Sequence, residues 1–191
     1  MRADVWYKEV DKALIKLISE NVEVIDLKTK KPRPLKAMVR NPQEKGQEEH
    51  QIVNPCATIF HYDEVRDRFR YNNIKQVVST NEQEGYALVG DPAKPYSLYV
   101  QIDFWSNYQA EVNEMTKQWC SAFDYLGYLE VVDSSGEKRY CTVNKVGYNS
   151  RDYNDEGERQ FQRTYCYRIW VELDSGKTTK VNIVNKHINL V

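Results

Sequence analysis

The sequence has few of the residue patterns from which easily recognised catalytic or metal sites are built. Its 191 residues include four cysteines, three histidines and eight glycines. No two cysteines stand at Cys-x-x-Cys spacing, and no histidine belongs to a His-Glu-x-x-His pattern. The tight ligand pairs typical of zinc sites are therefore missing, and we expect no metal and no cofactor.

Long apolar runs and an excess of charge of one sign are also missing. No window of about 18 apolar residues exists, which predicts no membrane-spanning helix. Residues 1–10 carry Asp4 and Glu9 and lack the apolar stretch of a signal peptide. The 27 basic and 28 acidic residues give a net charge of -1, so no global field attracts nucleic acid or an anionic membrane. Buried free thiols in a reducing cytoplasm are expected for the four cysteines, Cys56, Cys120, Cys141 and Cys166.

Aromatic residues, by contrast, are plentiful: they make up 12% of the chain, and 14 of them are tyrosines. Tyrosine favours strands and is common at protein interfaces. The pattern along the chain runs helix, strands, helix, strands. It predicts a single α+β domain over residues 1–191, with a mostly antiparallel sheet and two amphipathic helices packed on one face. Loop-rich insertions are expected over residues 28–50 and 61–95.

The two helices are predicted from their apolar spacing. Asp4 is expected to cap the first, which runs to about Ser19. Its apolar stripe consists of Trp6, Val10, Ala13, Leu14, Leu17 and Ile18. The second follows a strand over 98–104, begins at a capping box of Ser106 and Gln109, continues for about five turns and stops near Gly127. Its buried face consists of Tyr108, Val112, Met115, Trp119 and Ala122.

The last third of the chain is predicted to be β. Strands over 128–132 and 139–146 flank a turn at 133–136, and a long strand covers 161–173. The turn signal at 174–177 predicts a hairpin from that long strand to a strand over 178–184. Between these strands, residues 149–159 form a polar excursion of the kind that often reaches toward a partner.

No catalytic pattern emerges from the residues. Gly176-Lys177-Thr178 resembles the end of a phosphate-binding loop but lacks its upstream glycine, because Val171 stands there. His61 and Asp63 would share one face of a regular strand, but nothing else in the sequence converges on them. Asp103 is expected to be a solvent-facing strand residue. We therefore expect no enzyme, and a small nuclease or hydrolase stays an alternative.

A basic run is the best candidate for a binding segment. Six cations without an acid occur at Lys28, Lys30, Lys31, Arg33, Lys36 and Arg40. Such a cluster could contact DNA phosphates, but it has no interleaved aromatic residues for stacking bases. A solvated or interface loop and docking to an acidic partner are the other interpretations.

Several segments together resemble a family. They are the N-terminal amphipathic helix, RNPQEK after the basic strand, NPCATIFHYDE, YSLYVQIDFWSNYQAEVNEMTKQW, and RTYCYRIWVEL in the β-rich end. In layout across most of the chain they resemble the tail terminator (tail completion, head–tail joining) proteins of tailed bacteriophages. The same layout of helices, strands and charged segments occurs in other neck, connector and baseplate proteins of virions.

The resemblance implies a structural role without chemistry. Terminators are compact sandwiches of a sheet with helices on one side. Six copies form a ring on the last ring of the tail tube, stop its polymerisation and present a docking face to the head connector. The implied partners are further copies of the chain, the tail tube protein, sheath and head-connector or stopper proteins. Genomic DNA would pass through the lumen without specific binding, and the implied location is the virion, assembled in the host cytoplasm.

The resemblance also suggests which residues make contacts. Beside the basic run, the mixed-charge segment from His61 to Arg70 would set the register between subunits, and the polar excursion would reach a neighbour. The additional candidates are Arg66, Arg68, Arg151, Asp152, Asp155 and Glu156. A DNA-binding accessory protein that uses the basic run stays open as an alternative.

Overall fold

The computed structural model describes residues 5–26, 29–40, 54–70, 75–81, 83–123, 126–155, 158–173 and 178–182. These residues contain two helices, α1 (Tyr7–Asn21) and α2 (Gln109–Ala122). Their strands are β1 (Glu23–Ile25), β2 (Pro32–Pro34), β3 (Lys36–Val39), β4 (Cys56–Arg66), β5 (Gln76–Asn81), β6 (Tyr86–Gly90), β7 (Lys94–Ser106), β8 (Leu126–Val132), β9 (Lys138–Asp155), β10 (Glu158–Leu173) and β11 (Thr178–Asn182).

A six-stranded sheet organises the molecule, in the order β3–β4–β7–β10–β9–β8. Every neighbouring pair is antiparallel except β3–β4, which is parallel. Both helices pack on one face of this sheet, so the predicted α+β fold is confirmed. No helix in the described part of the chain is long and apolar enough to cross a membrane.

The sheet curls around α1. This helix contacts both edge strands, β3 and β8. A flat sheet of six strands would hold its edges roughly 24 Å apart, whereas a helix with its side chains is only about 10–12 Å across. The helices therefore lie in the hollow of a curved sheet. We call the side that carries them the inner face and the opposite side the outer face.

The core fills the space between the inner face and the helices. Leu98, Val100, Ile102 and Phe104 of β7 are fully buried, which confirms the predicted strand. The indole N–H of Trp119 donates to the hydroxyl of Tyr167 at 2.7 Å. Trp119 also packs against the rings of Phe104 in β7 and Tyr167 in β10, so it connects α2 to both strands. Its indole N–H can be buried there because it has a hydrogen-bond partner.

The helix ends differ from the sequence prediction. Trp6 rather than Asp4 is the N-cap of α1, and its backbone N–H donates to the carboxylate of Glu9 at 3.2 Å. The expected capping box of α2 is wrong: Ser106 donates to Glu111 and accepts the N–H of Tyr108. That helix has 14 residues, about four turns, and ends at Ala122 because the chain then turns into β8.

The predicted loop-rich insertions are wrong where the structure describes them. Residues 28–50 include β2 and β3, and residues 61–95 include the second half of β4, all of β5 and β6, and the start of β7. β5 and β6 form a three-stranded sheet with β11, in the order β11–β6–β5. The hairpin predicted between β10 and the last strand is therefore also wrong, since β11 pairs with β6.

The polar excursion predicted over 149–159 is also wrong for the described residues, which belong to β9 and β10. β9 and β10 continue as a ladder from Ile169↔Val143 to Glu158↔Asp155, with a register shift after Cys166. Polar side chains there had predicted a loop, but polar residues also suit the exposed end of a ribbon.

Candidate functional site

The outer face of the sheet carries a row of polar side chains, and both helices of the described residues lie on the inner face. The register aligns Thr58 of β4 with Asp103 of β7, Asp103 with Thr164 of β10, and Thr164 with Asn149 of β9. Thr58, Asp103 and Thr164 are each at most 7% exposed. The sequence prediction that Asp103 faces solvent is therefore wrong.

Asp103 is at the centre of a hydrogen-bond network. Its Oδ1 accepts the hydroxyl of Thr164 at 2.5 Å, and its Oδ2 accepts the side-chain amide of Gln101 at 2.8 Å. Burial raises the pKa of Asp103, while donors from Thr164, Gln101 and Gln162 and the nearby charge of Arg151 oppose that rise. Because the carboxylate is surrounded by donors, its burial is tolerated.

Two neighbours extend this network. The indole N–H of Trp105 donates to the hydroxyl of Thr58 at 3.0 Å, and both side chains are buried. Gln162, only 4% exposed, has a side-chain oxygen without a hydrogen-bond partner among the described residues. These polar residues lie on the outer face because they alternate with inward-facing apolar residues in β4, β7 and β10.

Basic side chains lie at both ends of this row. Arg151 lies near Asp103 on the β9 side. On the β3 side, Lys36 pairs with Cys56. Burial raises the pKa of the Cys56 thiol to about 12, against the lowering effect of Lys36 and Arg40. The structure thus brings Lys36, Arg40 and Arg151 to the two ends of this polar row.

An apolar patch covers the outer side of the β8–β9 ribbon. Leu126 is 62% exposed, Tyr128 72%, Val132 51% and Tyr140 67%. Leu129 and Val131, which alternate with them in β8, are buried against the helices. On the same face Glu130 lies between Tyr128 and Val132, accepts the hydroxyl of Tyr140 at 3.2 Å and pairs with Lys138 at 2.8 Å. We call Leu126, Tyr128, Val132 and Tyr140 the β8 apolar patch, which surrounds this ion pair. Exposed apolar side chains grouped in this way are typical of protein interaction sites.

The basic run is divided between the opposite edge of the sheet, where Lys36 and Arg40 lie, and the separate two-stranded β1–β2 ribbon. Lys30, Lys31 and Lys36 are exposed, on the β1–β2 ribbon and β3, while Arg33 is 3.8 Å from Asp26. Lys30 has a positive φ of 57° in the turn between β1 and β2. Lys28 lies outside the described residues.

The other predicted contact residues are scattered. Arg66 ends β4 and Arg68 follows it, both exposed. Asp152 is 3.0 Å from Arg163, on the side of the sheet opposite Arg151. Asp155 ends β9, and Glu156 lies outside the described residues. The structure does not bring this set together at one place.

The catalytic alternatives gain no support from geometry. A register shift follows His61, whose Nε2 is 2.5 Å from Asp11 of α1, so His61 and Asp63 form no pair. Among the described residues no three His, Cys, Asp or Glu side chains are grouped as a metal site. Of the cysteines only Cys56 and Cys141 are buried; Cys120 is exposed and Cys166 half-buried, which corrects the prediction of four buried thiols.

Sequence reasoning missed most of the outer-face network. Thr164, Gln101 and Gln162 carried no motif, and only the polar half of the alternation in β7 and β10 marked them. The β8 apolar patch could have been found from Leu126, Tyr128 and Val132, which alternate with Leu129 and Val131 on the predicted strand.

No family model matches the chain, and no curated protein matches it.

Proposed function

We propose that the chain is a virion structural protein, one subunit of a ring of six copies at the head-proximal end of a phage tail. The ring ends polymerisation of the tail tube and joins the tail to the neck. The chain acts by contact and catalyses no reaction. The observation that carries this proposal is the β8 apolar patch, because large apolar side chains exposed together on one ribbon are typical of a surface that a partner covers.

The distribution of surfaces supports a ring over a two-fold dimer. Closed rings form when one surface of a subunit meets a different surface of the next. The two edges of the sheet differ: β8 carries the apolar patch, while β3 carries Lys36 and is followed by Arg40. A stable contact of this kind buries about 800 Å² on each partner.

Sedimentation velocity over a wide concentration range tests the ring. Wild-type protein is expected to form one discrete closed species, and the double variant Leu126→Ser/Tyr128→Ser is expected to dissociate. Val77→Ser is the matched control, since Val77 is similarly exposed, at 63%, but lies on β5 in the other sheet. Dissociation of the control to the same extent would remove the patch from the argument.

Tube termination needs its own assay. Purified protein is added to polymerising tail tube protein encoded by the same genome, and tube lengths are measured by negative-stain electron microscopy. Shorter tubes with density at one end are expected. A strict monomer that leaves tube length unchanged would contradict the proposal, whereas a monomer that still caps tubes would mean that the ring assembles only on the tube end.

A second candidate function, contact with DNA, is favoured by the exposed lysines of the basic run, Lys30 and Lys31 in the β1–β2 turn and Lys36 on β3. Binding that is lost in Lys30→Glu/Lys31→Glu and falls steeply with salt concentration would support it. Salt-independent or absent binding would leave the basic run to a protein partner.

A further inference from the structure

A cleft opens within the six-stranded sheet where β9 and β10 separate. Their last pair is Ile169↔Val143. Beyond it β10 stays with β7 as far as Leu173, while β9 stays with β8 as far as Lys138. The gap has a volume of about 220 Å³. It adjoins the β8 apolar patch, since Tyr140 belongs to both and residues 139–142 pair with β8.

The cleft presents unpaired strand edges. In an antiparallel ladder every second residue directs its N–H and C=O toward the neighbour on one side. Residues 138–142 of β9 and 170–173 of β10 have a strand neighbour on only one side among the described residues. Backbone donors and acceptors on the other side therefore point into the gap, which suits an extended peptide.

Three donor groups line the same gap. They belong to Arg70, Arg139 and Trp170, and the side chain of Glu172 lines the gap with them. The indole N–H of Trp170 is buried and has no hydrogen-bond partner among the described residues, and such an orphaned donor is rare in a folded protein. The guanidinium groups of Arg70 and Arg168 lie over the Trp170 ring, 5.1 and 5.4 Å from its centroid. In this cationic setting an anionic oxygen is a suitable partner for the N–H.

Both arginines are held in place and still have donors to give. Arg70 donates through Nε to Asp67 at 2.9 Å and lies over the Trp170 ring, 5.1 Å from its centroid. Arg139 donates through Nε to Asp133 at 2.7 Å. A guanidinium has five N–H groups, so each keeps donors for a ligand. Such fixed side chains lose little entropy on binding.

We propose that this cleft binds an extended peptide segment that carries a carboxylate. The backbone of the segment pairs with β9 and β10, and its carboxylate is held by Arg70, Arg139 and the indole N–H of Trp170. The apolar part of the lining, Val5 and Val171, favours a peptide over a bare phosphate, which would leave those surfaces and the strand edges without a partner. This site goes beyond the proposed ring and does not depend on it.

The test uses the four tryptophan indole signals in the ¹⁵N NMR spectrum of the full chain. Trp170→Phe assigns one signal by its loss. The probe is the peptide acetyl-Val-Glu-Val-Glu with a free C-terminus, and its control is acetyl-Val-Gln-Val-Gln amide. The acidic peptide is expected to shift the Trp170 signal in a saturable way. The Trp119 signal should stay fixed, because its N–H is bonded to Tyr167 inside the core.

Matched variants separate the cleft from surface charge. Arg70→Gln and Arg139→Gln are each expected to raise the Kd of the acidic peptide about tenfold or more, since each removes a charge-assisted contact. Arg68→Gln, at an exposed arginine two residues from Arg70, should leave the Kd unchanged. If Arg139→Gln fails to fold, Arg139→Lys keeps the charge, loses the forked geometry and should still weaken binding.

Three outcomes would overturn the proposal. They are no shift of the Trp170 signal, an equal shift with the neutral peptide, and an equal shift with sodium acetate at the same carboxylate concentration. The last would show an anion site without strand pairing. None of them bears on ring formation, which sedimentation measures separately.

Discussion

The two faces of the central sheet are built on different principles, although the same strands supply both. In β7 the neighbouring residues Asp103 and Phe104 are both fully buried, one toward the outer face and one toward the helices. Phe104 is buried against Trp119 and Tyr165, and the hydrophobic effect that favours this burial is non-directional. Asp103 is tolerated only because specific donors reach its two oxygens. The inner face should therefore respond to changes in volume and the outer face to changes in hydrogen bonding.

The largest expected effect is on the inner face. Trp119→Ala should lower the free energy of unfolding by roughly 3–5 kcal/mol, because it leaves a cavity beneath α2 and removes the donor to Tyr167. Urea denaturation measures the loss. Trp119→Phe, which keeps most of the ring, should cost less. A loss below about 1 kcal/mol for the alanine variant would contradict the core assignment.

On the outer face, removal of one donor should matter more than removal of volume. Thr164→Val keeps the shape of the side chain but takes away the hydroxyl that donates to Asp103. The expected loss is about 1–3 kcal/mol, the range for a buried polar group left with too few partners. Thr164→Ser retains the hydroxyl and should be the milder change. Equal losses for Val and Ser, measured by urea denaturation, would mean that packing rather than the hydrogen bond matters here.

This contrast also explains which parts of the structure could be predicted. Alternation of Leu98, Val100, Ile102 and Phe104 predicted the inner face because apolar periodicity is a local signal. The role of Asp103 was missed because its partner Thr164 is 61 residues away and nothing local marks the pair. For the same reason charged segments were predicted as loops, although residues 61–66 continue β4.

The candidate site was predicted only in part. Lys36, Arg40 and Arg151 were chosen for their charge, and the sheet does place them at the two ends of one row. Asp152, chosen with them, points to the opposite face because neighbours in a strand alternate. The charge of a residue can be read from the sequence, but the face of the sheet on which its side chain lies depends on the register of the strand.

The outer-face aspartate should give stability an unusual dependence on pH. Burial raises the pKa of Asp103 above its ordinary 3.8, so the folded protein takes up a proton before the unfolded chain does. As the pH falls from 7 toward 4, wild type should gain stability relative to Asp103→Asn, and the difference should level off below about 4. Thermal unfolding across this range measures how the stability difference between the two proteins changes with pH. A pH-independent difference in their stability does not affect this slope. A difference that is flat with pH would contradict the raised pKa.

Asp133, at the turn between β8 and β9, should behave in the opposite way. The hydroxyl of Ser135, with further donors from Glu137, Ser135 and Arg139, lowers its pKa to about 2. Wild type should therefore be more stable than Asp133→Asn above pH 4, and this advantage should shrink as the pH falls to 2. The same unfolding series measures both aspartates. Parallel slopes for the two would show that their environments do not differ as described.

The smallest expected effect on stability is at the β8 apolar patch, where it separates folding from assembly. Tyr128 is 72% exposed, so Tyr128→Ser should change the free energy of unfolding of the monomer by no more than about 0.5 kcal/mol. Association should nevertheless weaken, because interface energy concentrates in aromatic side chains that are buried only in the complex. Urea denaturation at low concentration and sedimentation at high concentration measure the two effects on one variant. A large loss of monomer stability would mean that Tyr128 supports the fold, and unchanged association would remove it from the ring interface. The combination of a stable monomer and a lost assembly distinguishes an apolar residue kept for a partner from one kept for the core.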